Sequence, residues 1–148
     1  MLTGQEIAEA VSDSMFANDR VSQALGFEIL SISPGQARLA MTVRDDMLNG
    51  FDICHGGMIA TLADSCFAFA CNSRNQLTVA SGFAIDIVAP AQKGDRLTAQ
   101  ASEVSLSGRT GVYDIRVSNQ HDELVAVFRG RSYCIKGKPV MPLPGPTV

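Results

Sequence analysis

The sequence has few of the residues that a metal centre or a nucleic-acid surface requires. It contains two histidines and four cysteines, and the cysteines show no paired spacing. Zinc sites use closely spaced pairs of these residues, so we expect no metal and no other cofactor. The net charge is −3, and no run of basic residues exceeds two. These values argue against a nucleic acid or an anionic membrane surface as a partner.

Long apolar runs are also absent. The most apolar stretch, residues 57–72, carries a carboxylate near its centre and is shorter than the roughly 20 residues that span a bilayer. The first residues lack the basic region and apolar run of a signal peptide. We therefore expect no membrane contact, a cytoplasmic location and reduced cysteines.

The chain has 148 residues, which is the size of one domain. Thr3 and Glu6 have the spacing of a capping box, and apolar residues follow at helical spacing, which predicts an amphipathic helix within residues 1–20. Residues 136–148 hold four of the six prolines, so we expect a flexible tail there. The central domain is then residues 21–135.

Six segments of the central domain alternate between apolar and polar residues, which predicts strands. A helix predicted over residues 57–72 is apolar around its whole circumference and must therefore be enclosed. The fold class is then α+β, with one six-stranded antiparallel sheet wrapped around one long central helix. The predicted strands are Phe27–Ser33, Gln36–Val43, Thr78–Val88, Arg96–Ser105, Val112–Asn119 and Leu124–Ile135.

The central helix carries Asp64, a carboxylate that burial would make costly unless it is paired or has a function. Upstream lie Asn49, His55 and the pair Gly56-Gly57, at the helix end that attracts anions. An acid, an amide and free backbone donors together indicate acyl chemistry. Two structural alternatives stay open: Asp64 satisfied by a hydrogen bond alone, and His55 merely capping the helix.

Gly56 and Asp64 are eight residues apart, or roughly 12 Å along a helix axis. A group that activates the attack on a thioester and a donor to its oxygen must each lie within about 3 Å of the reacting centre. One chain cannot meet this condition. Two antiparallel copies of the helix, related by a two-fold axis, can, so the chemistry requires a homodimer with two equivalent sites.

A set of motifs lies around and after the candidate site. The motifs are Met47-Leu-Asn-Gly50, His55-Gly-Gly57, Leu62-Ala-Asp-Ser65, Ala80-Ser81, Ile85-Asp86, Pro90, Thr110-Gly-Val-Tyr-Asp-Ile115 and Phe128-Arg-Gly130. Together they resemble the hot-dog thioesterases of the phenylacetate-degradation (PaaI-like) type. The resemblance spans about residues 10–135 and implies the hot-dog fold, a continuous twelve-stranded dimer, a homotetramer, and hydrolysis of acyl-CoA without a metal.

The resemblance also implies roles for the candidate residues. Asp64 resembles the catalytic carboxylate, acting as general base or as nucleophile, and Gly56 resembles the donor to the oxyanion. Asn49 resembles the residue that positions the lytic water or orients the reacting groups. His55 looks like a helper at the helix start that hydrogen-bonds the loop or the thioester region. Substrate-binding residues are expected at Gly57, Ser81 and Gly82, although a kink in the strand is an alternative for Ser81 and Gly82.

One departure from the family concerns the CoA phosphates. Related sequences often carry a cation just before the strand-ending proline, whereas this chain has Val88-Ala89-Pro90. Four other cations are candidates for the phosphates: Lys93, Arg109, Arg129 and Arg131.

The expected reaction is hydrolysis of an acyl-CoA, with phenylacetyl or a ring-hydroxylated relative as the preferred acyl group. Two rival functions stay open. A hydratase or dehydratase of the same architecture would require His55, and a non-catalytic acyl-CoA binding module would not require Asp64.

Overall fold

The computed structural model describes residues 1–143. A six-stranded antiparallel sheet curves around one central helix, as the sequence predicted. The strand order is β1-β2-β4-β5-β6-β3, so β1 and β3 form the two edges. The helices are α1 (Gly4–Asn18), α2 (Arg20–Ala24) and α3 (Gly56–Cys71), and the strands are β1 (Glu28–Ser33), β2 (Gln36–Thr42), β3 (Thr78–Ile87), β4 (Arg96–Ser107), β5 (Thr110–Ser118) and β6 (Leu124–Cys134).

The predicted capping box starts α1. The Glu6 N–H donates to Thr3 Oγ1 at 3.1 Å, and the Thr3 N–H donates to the Glu6 carboxylate at 2.8 Å. The apolar side of α1 packs on β1, where Gln5 Nε2 donates to the Ile32 carbonyl at 2.8 Å. The short helix α2 was not predicted. Asp19 caps it by accepting from the Ser22 N–H at 2.9 Å.

The helix α3 lies against the concave face of the sheet, and Phe67 is its central contact. The Phe67 ring meets Tyr113 edge-on, with ring centres 5.5 Å apart, and lies 6.0 Å from Phe128. It also packs flat on Gly130, where an added Cβ would come within 2.5 Å of the ring. A residue without a side chain at position 130 therefore sets how closely α3 approaches β6.

Hydrogen bonds tie residues beyond β6 back to the chain. The Lys138 carbonyl accepts from the Leu77 N–H at 2.8 Å, and the Met141 N–H donates to Asn75 Oδ1 at 3.0 Å. The flexibility predicted for residues 136–148 stays a prediction, and residues 144–148 lie outside the described part. Within residues 1–143 we find no helix with the length and apolar character that a membrane crossing requires.

The contact between Phe67 and Gly130 leads to a stability prediction. We expect Gly130→Ala to lower the free energy of unfolding by about 1 to 3 kcal/mol, because the new methyl group must push α3 away from the sheet. Urea denaturation measures the change. Gly50→Ala is the matched control, since an added Cβ there meets nothing within 4 Å. Equal stability of the two variants would contradict the proposed packing.

Candidate active site

Asp64 lies at the middle of α3 on the side that the sheet does not cover. Residues Gly57, Thr61, Ala68 and Cys71 share this exposed or half-buried side. Asp64 is itself half-buried, and burial raises the pKa of its carboxyl group. No hydrogen bond or cation within residues 1–143 offsets that effect. The alternative of a carboxylate satisfied only by a hydrogen bond therefore has no support in the described chain.

His55 caps the start of α3. The ring Nδ1 of His55 accepts from the Gly57 N–H at 3.0 Å. The backbone N–H of His55 donates to the Met47 carbonyl at 2.8 Å. This is the capping role that the sequence left open for His55.

Gly56 is the first residue of α3, and its N–H points out of the helix end without an acceptor in residues 1–143. The next two N–H groups are both engaged, by the side chain and the carbonyl of His55. A Cβ at Gly56 would lie 2.9 Å from Ile87 Cδ1. Gly56 thus combines a free donor, the positive end of the helix dipole and a close approach to β3.

Asn49 organises the loop before α3. Its Oδ1 accepts from the N–H of Phe51 at 2.9 Å and of Ile53 at 3.4 Å. Asp52 at the loop tip has a φ of 60°. The Asn49 amide nitrogen has no acceptor among the described residues, which leaves it available to a water or a substrate. The predicted role of Asn49 in positioning water stays a prediction.

Ser81 and Gly82 lie at an irregularity of β3. The register of β3 with β6 shifts between Ala80 and Gly82, and Ser81 Oγ donates to the Arg131 carbonyl at 3.2 Å. The Arg131 guanidinium covers Gly82, where an added Cβ would lie 2.7 Å from Nη2. The strand kink expected as the alternative is therefore present, and substrate contact by Ser81, Gly82 or Gly57 stays a prediction.

The four candidate cations lie in different places. Arg129 donates two hydrogen bonds to Asp114, at 2.8 and 2.9 Å, on the sheet face opposite α3. Arg109 donates to the Tyr133 hydroxyl at 3.1 Å. Lys93 pairs with Asp45 at 3.3 Å, close to the loop that precedes α3. Of the four, Arg129 is the least suited to a phosphate near Gly56, because it is already paired and lies on the far face.

Within one chain the structure does not bring Gly56 and Asp64 together. Both belong to one continuous helix, so the roughly 12 Å of helical rise between them is fixed. Sequence reasoning missed Ile87, which packs on Gly56. Alternation of apolar residues along β3 was the available signal, but it does not indicate which of them meets the helix start.

Comparison with known proteins decides the family. Residues 51–126 match the family model of the thioesterase superfamily. The chain belongs to the thioesterase superfamily. This segment includes Gly56 and Asp64, whereas Asn49 lies just before it.

Relatives of this thioesterase cover most of its length. The acyl-coenzyme A thioesterase PaaI of Escherichia coli (strain K12) is 47% identical over 124 residues, covering 84% of this chain and 89% of the relative. A structure of the E. coli PaaI protein from the phenylacetic acid degradation operon matches with a TM-score of 0.90 at 43% identity, covering 92% of this chain and 99% of that one. A Streptococcus mutans UA159 protein bound to acetyl CoA has a TM-score of 0.73 at 26% identity, covering 76% and 90%.

These findings confirm the expected hot-dog fold and show that the protein is an enzyme, a thioester hydrolase. They do not assign roles to individual residues of the site. The family accounts for the reaction class, whereas the roles of individual residues rest on the geometry described above.

The raised pKa of Asp64 leads to a stability prediction. The Asp64 carboxyl group stays protonated to a higher pH in the folded chain than in the unfolded chain. Ionisation of this carboxyl group therefore destabilises the fold. We expect Asp64→Asn to increase the free energy of unfolding at about pH 8, with the gain shrinking as the pH falls toward the ordinary carboxyl pKa.

Urea denaturation across this pH range measures the effect. Asp46→Asn is the control, because Arg44 lowers the pKa of Asp46 and its removal should give no gain at about pH 8. A loss of stability in Asp64→Asn at that pH would contradict the description of Asp64 as an unpaired carboxylate.

Proposed function

We propose that this thioesterase hydrolyses an acyl-CoA to the free acid and CoA at a site shared by two subunits. In each site, Asp64 of one subunit acts on the thioester whose carbonyl oxygen binds the Gly56 N–H of the other. The observation that carries the proposal is the N–H of Gly56 at the start of α3, which has no acceptor among the described residues. Water is the only co-reactant, so the reaction needs no cofactor.

The charge and burial of the two groups suit the reaction. Asp64 as general base takes a proton from water while the water oxygen attacks the carbonyl carbon. As nucleophile, it would instead form an anhydride that water then cleaves. In both routes the Gly56 N–H stabilises the negative oxygen, and loss of one such donor costs about 3 kcal/mol in the transition state. CoA leaves as the thiol.

The exposed edge of the sheet supports the dimer. On β3, Phe83 and Ile87 belong to the face that covers α3, yet they are 45% and 44% exposed. On its outer side, β3 pairs with no other strand of residues 1–143. A bare edge with apolar side chains is suited to pairing with a second copy. Antiparallel pairing of β3 with the partner's β3 would give the twelve-stranded sheet that we propose.

Two contacts indicate where the two-fold axis crosses β3. Gly56 lies beside Ile87, and Phe67 packs on Gly130, which pairs with Phe83. Asp64 lies between Gly56 and Phe67 along α3, nearer to Phe67. Asp64 is therefore level with β3 near Ala84. The midpoint of Ala84 and Ile87 falls between Ile85 and Asp86, and a two-fold axis there brings Gly56 of one subunit level with Asp64 of the other.

The relatives support the substrate class. A 47% identical relative is an acyl-coenzyme A thioesterase, and a matching structure is bound to acetyl CoA. We propose phenylacetyl or a ring-hydroxylated relative as the acyl group, since the matching E. coli protein comes from the phenylacetic acid degradation operon. The four cysteines of the described chain are all free, in keeping with the cytoplasmic location that we propose.

A thioester panel tests the proposed function. We expect the wild-type protein to release thiol from phenylacetyl-CoA and hydroxyphenylacetyl-CoA faster than from straight-chain acyl-CoAs. Asp64→Asn should lower the turnover at least about 100-fold, because it removes the base or nucleophile. A colorimetric thiol assay measures both, and circular dichroism verifies the fold.

The same assay separates the rival functions. His55→Gln is the matched variant, because a hydratase would depend on His55 more than on Asp64. Full turnover in Asp64→Asn would contradict the proposed mechanism. Binding of CoA by the wild-type protein without any thiol release would instead support a hydratase or a binding module.

A further inference from the structure

The loop before α3 presents an exposed aromatic ring. Phe51 is 87% exposed, and only Met1 is more exposed among the large apolar side chains of the described chain. The Phe51 ring meets no other aromatic ring of residues 1–143 and lies outside the hydrophobic core. A single exposed apolar side chain is ordinary on a protein surface. Phe51 differs from such a residue in the rigidity of its loop and in its place beside the site.

Backbone contacts shape the loop into a small hairpin. The Asn49 N–H donates to the Ile53 carbonyl at 2.8 Å, and Leu48 and Cys54 form an antiparallel bridge at the base. Phe51 lies at the tip, where the hairpin points away from the rest of the subunit. The chain thus holds an apolar ring in a fixed position that no residue of its own subunit covers.

The tip of the hairpin is bonded to a candidate residue of the active site. Asn49 Oδ1 accepts from the Phe51 N–H at 2.9 Å, which couples the position of the Phe51 backbone to that of the Asn49 amide. Two residues of chain span at most about 7 Å. A substrate that reaches the Asn49 amide therefore lies close to the Phe51 ring.

The proposed dimer places this hairpin beside the other subunit. The two α3 helices are antiparallel, with Gly56 of one subunit level with Asp64 of the partner subunit. The hairpin before Gly56 then runs along the part of the partner's helix that follows Asp64. The uncovered side of that part carries Ala68 and Cys71, about one and two turns further on. Both side chains are small, which leaves room for a ligand between that helix and the Phe51 ring.

We propose that Phe51 is a specificity-determining residue that packs on the aromatic acyl group of the substrate. The proposal rests on the proposed function, because it uses the same shared site. Phe51 and Gly56 come from one subunit, and Asp64 and Ala68 come from the other. The acyl ring lies between Phe51 and Ala68 of the partner subunit, next to the thioester carbonyl.

The acyl group fits this position better than the adenine of CoA does. In a phenylacetyl group a single methylene joins the ring to the thioester carbon. The adenine lies beyond the whole pantetheine arm and the diphosphate, far from a residue that is bonded to Asn49. Two packed aromatic rings attract each other by more than the area that they bury accounts for. Phe51 therefore favours aromatic over aliphatic acyl groups.

Substrate preference tests the proposal. We expect Phe51→Ala to lower kcat/KM for phenylacetyl-CoA roughly 10-fold and to change kcat/KM for acetyl-CoA by less than about twofold, because only the aromatic acyl group loses a packing partner. Phe51→Tyr keeps the ring and should keep the preference. An equal loss with both substrates, or no loss with either, would overturn the proposal.

A matched control and a stability measurement exclude an indirect effect. Leu30 is an exposed apolar residue of β1, the sheet edge opposite β3, so Leu30→Ala should leave both kcat/KM values unchanged. Urea denaturation should give the same free energy of unfolding for Phe51→Ala and the wild type, since the ring packs on nothing in its own subunit. A clear loss of stability in Phe51→Ala would contradict this description of the ring.

Mixed dimers show which subunit supplies the ring. When a Phe51→Ala chain pairs with an Asp64→Asn chain, the one site with a carboxylate takes Phe51 from the Asp64→Asn chain, so the wild-type preference should return. When the wild-type chain pairs with a chain that carries both changes, the site with a carboxylate lacks the ring, so the preference should stay low. The reverse pattern would contradict the placement of Phe51 opposite Asp64.

Binding separates this proposal from the proposed function. The probe is a dethia analogue of phenylacetyl-CoA, in which a methylene replaces the thioester sulfur and prevents hydrolysis. Calorimetry should show that Phe51→Ala binds it roughly 10-fold more weakly than the wild type does, with equal affinities for the acetyl analogue. If the affinities differ in this way but no form hydrolyses a thioester, the ring contact stands and the proposed function fails. Equal affinities for the phenylacetyl analogue would overturn the ring contact alone.

Discussion

The rigidity of α3 is the constraint on which the rest of the molecule depends. A helix holds Gly56 and Asp64 at a fixed separation, and the packing of Phe67 on Gly130 holds that helix against the sheet. No rearrangement of side chains can bring the donor and the carboxylate to one carbonyl. The proposed catalytic site therefore needs a second subunit, and the bare edge of β3 provides the place for it.

The two faces of the sheet differ in the side chains that they carry. The concave face encloses α3, so its residues are apolar and tightly packed, with Phe67, Tyr113 and Phe128 at the centre. The outer face carries paired and unpaired charges around Val127. A change on the outer face therefore leaves the groups that we propose for hydrolysis untouched.

Much of the fold could be predicted from the sequence, because alternation along the strands and the apolar character of α3 are strong signals. The helix α2 was missed because five residues are too few to show helical periodicity. The ends of β4 and β5 extend two residues beyond the predicted bounds, toward each other. The residues that link them, Gly108 and its neighbours, gave a turn signal too broad to fix those ends.

The candidate site was harder to predict than the fold. The spacing correctly predicted that Gly56 and Asp64 lie far apart within one chain. That His55 caps the helix is shown only by the hydrogen bond from Gly57, and a role of His55 in the reaction stays a prediction. The pairing of Arg129 with Asp114 depends on the register of β5 with β6, which a single sequence does not encode locally. The same register places Arg116 beside Val127 on the outer face, so the pattern of charge on that face could not be seen in the sequence.

Complementation between two inactive variants is the most direct test of the shared site. Gly56→Pro removes the N–H at the first helical position, whose backbone suits proline; Ile87→Val in the same chain removes the Cδ1 that the added Cβ would meet at 2.9 Å. Asp64→Asn removes the carboxylate. Each variant alone should be inactive. In a mixed dimer one site contains both wild-type groups, so coexpressed chains that pair at random should regain about a quarter of the wild-type turnover. Mixed dimers can be isolated by two affinity tags, one on each variant. If they regain no turnover, the claim that each site takes Gly56 from one subunit and Asp64 from the other is contradicted.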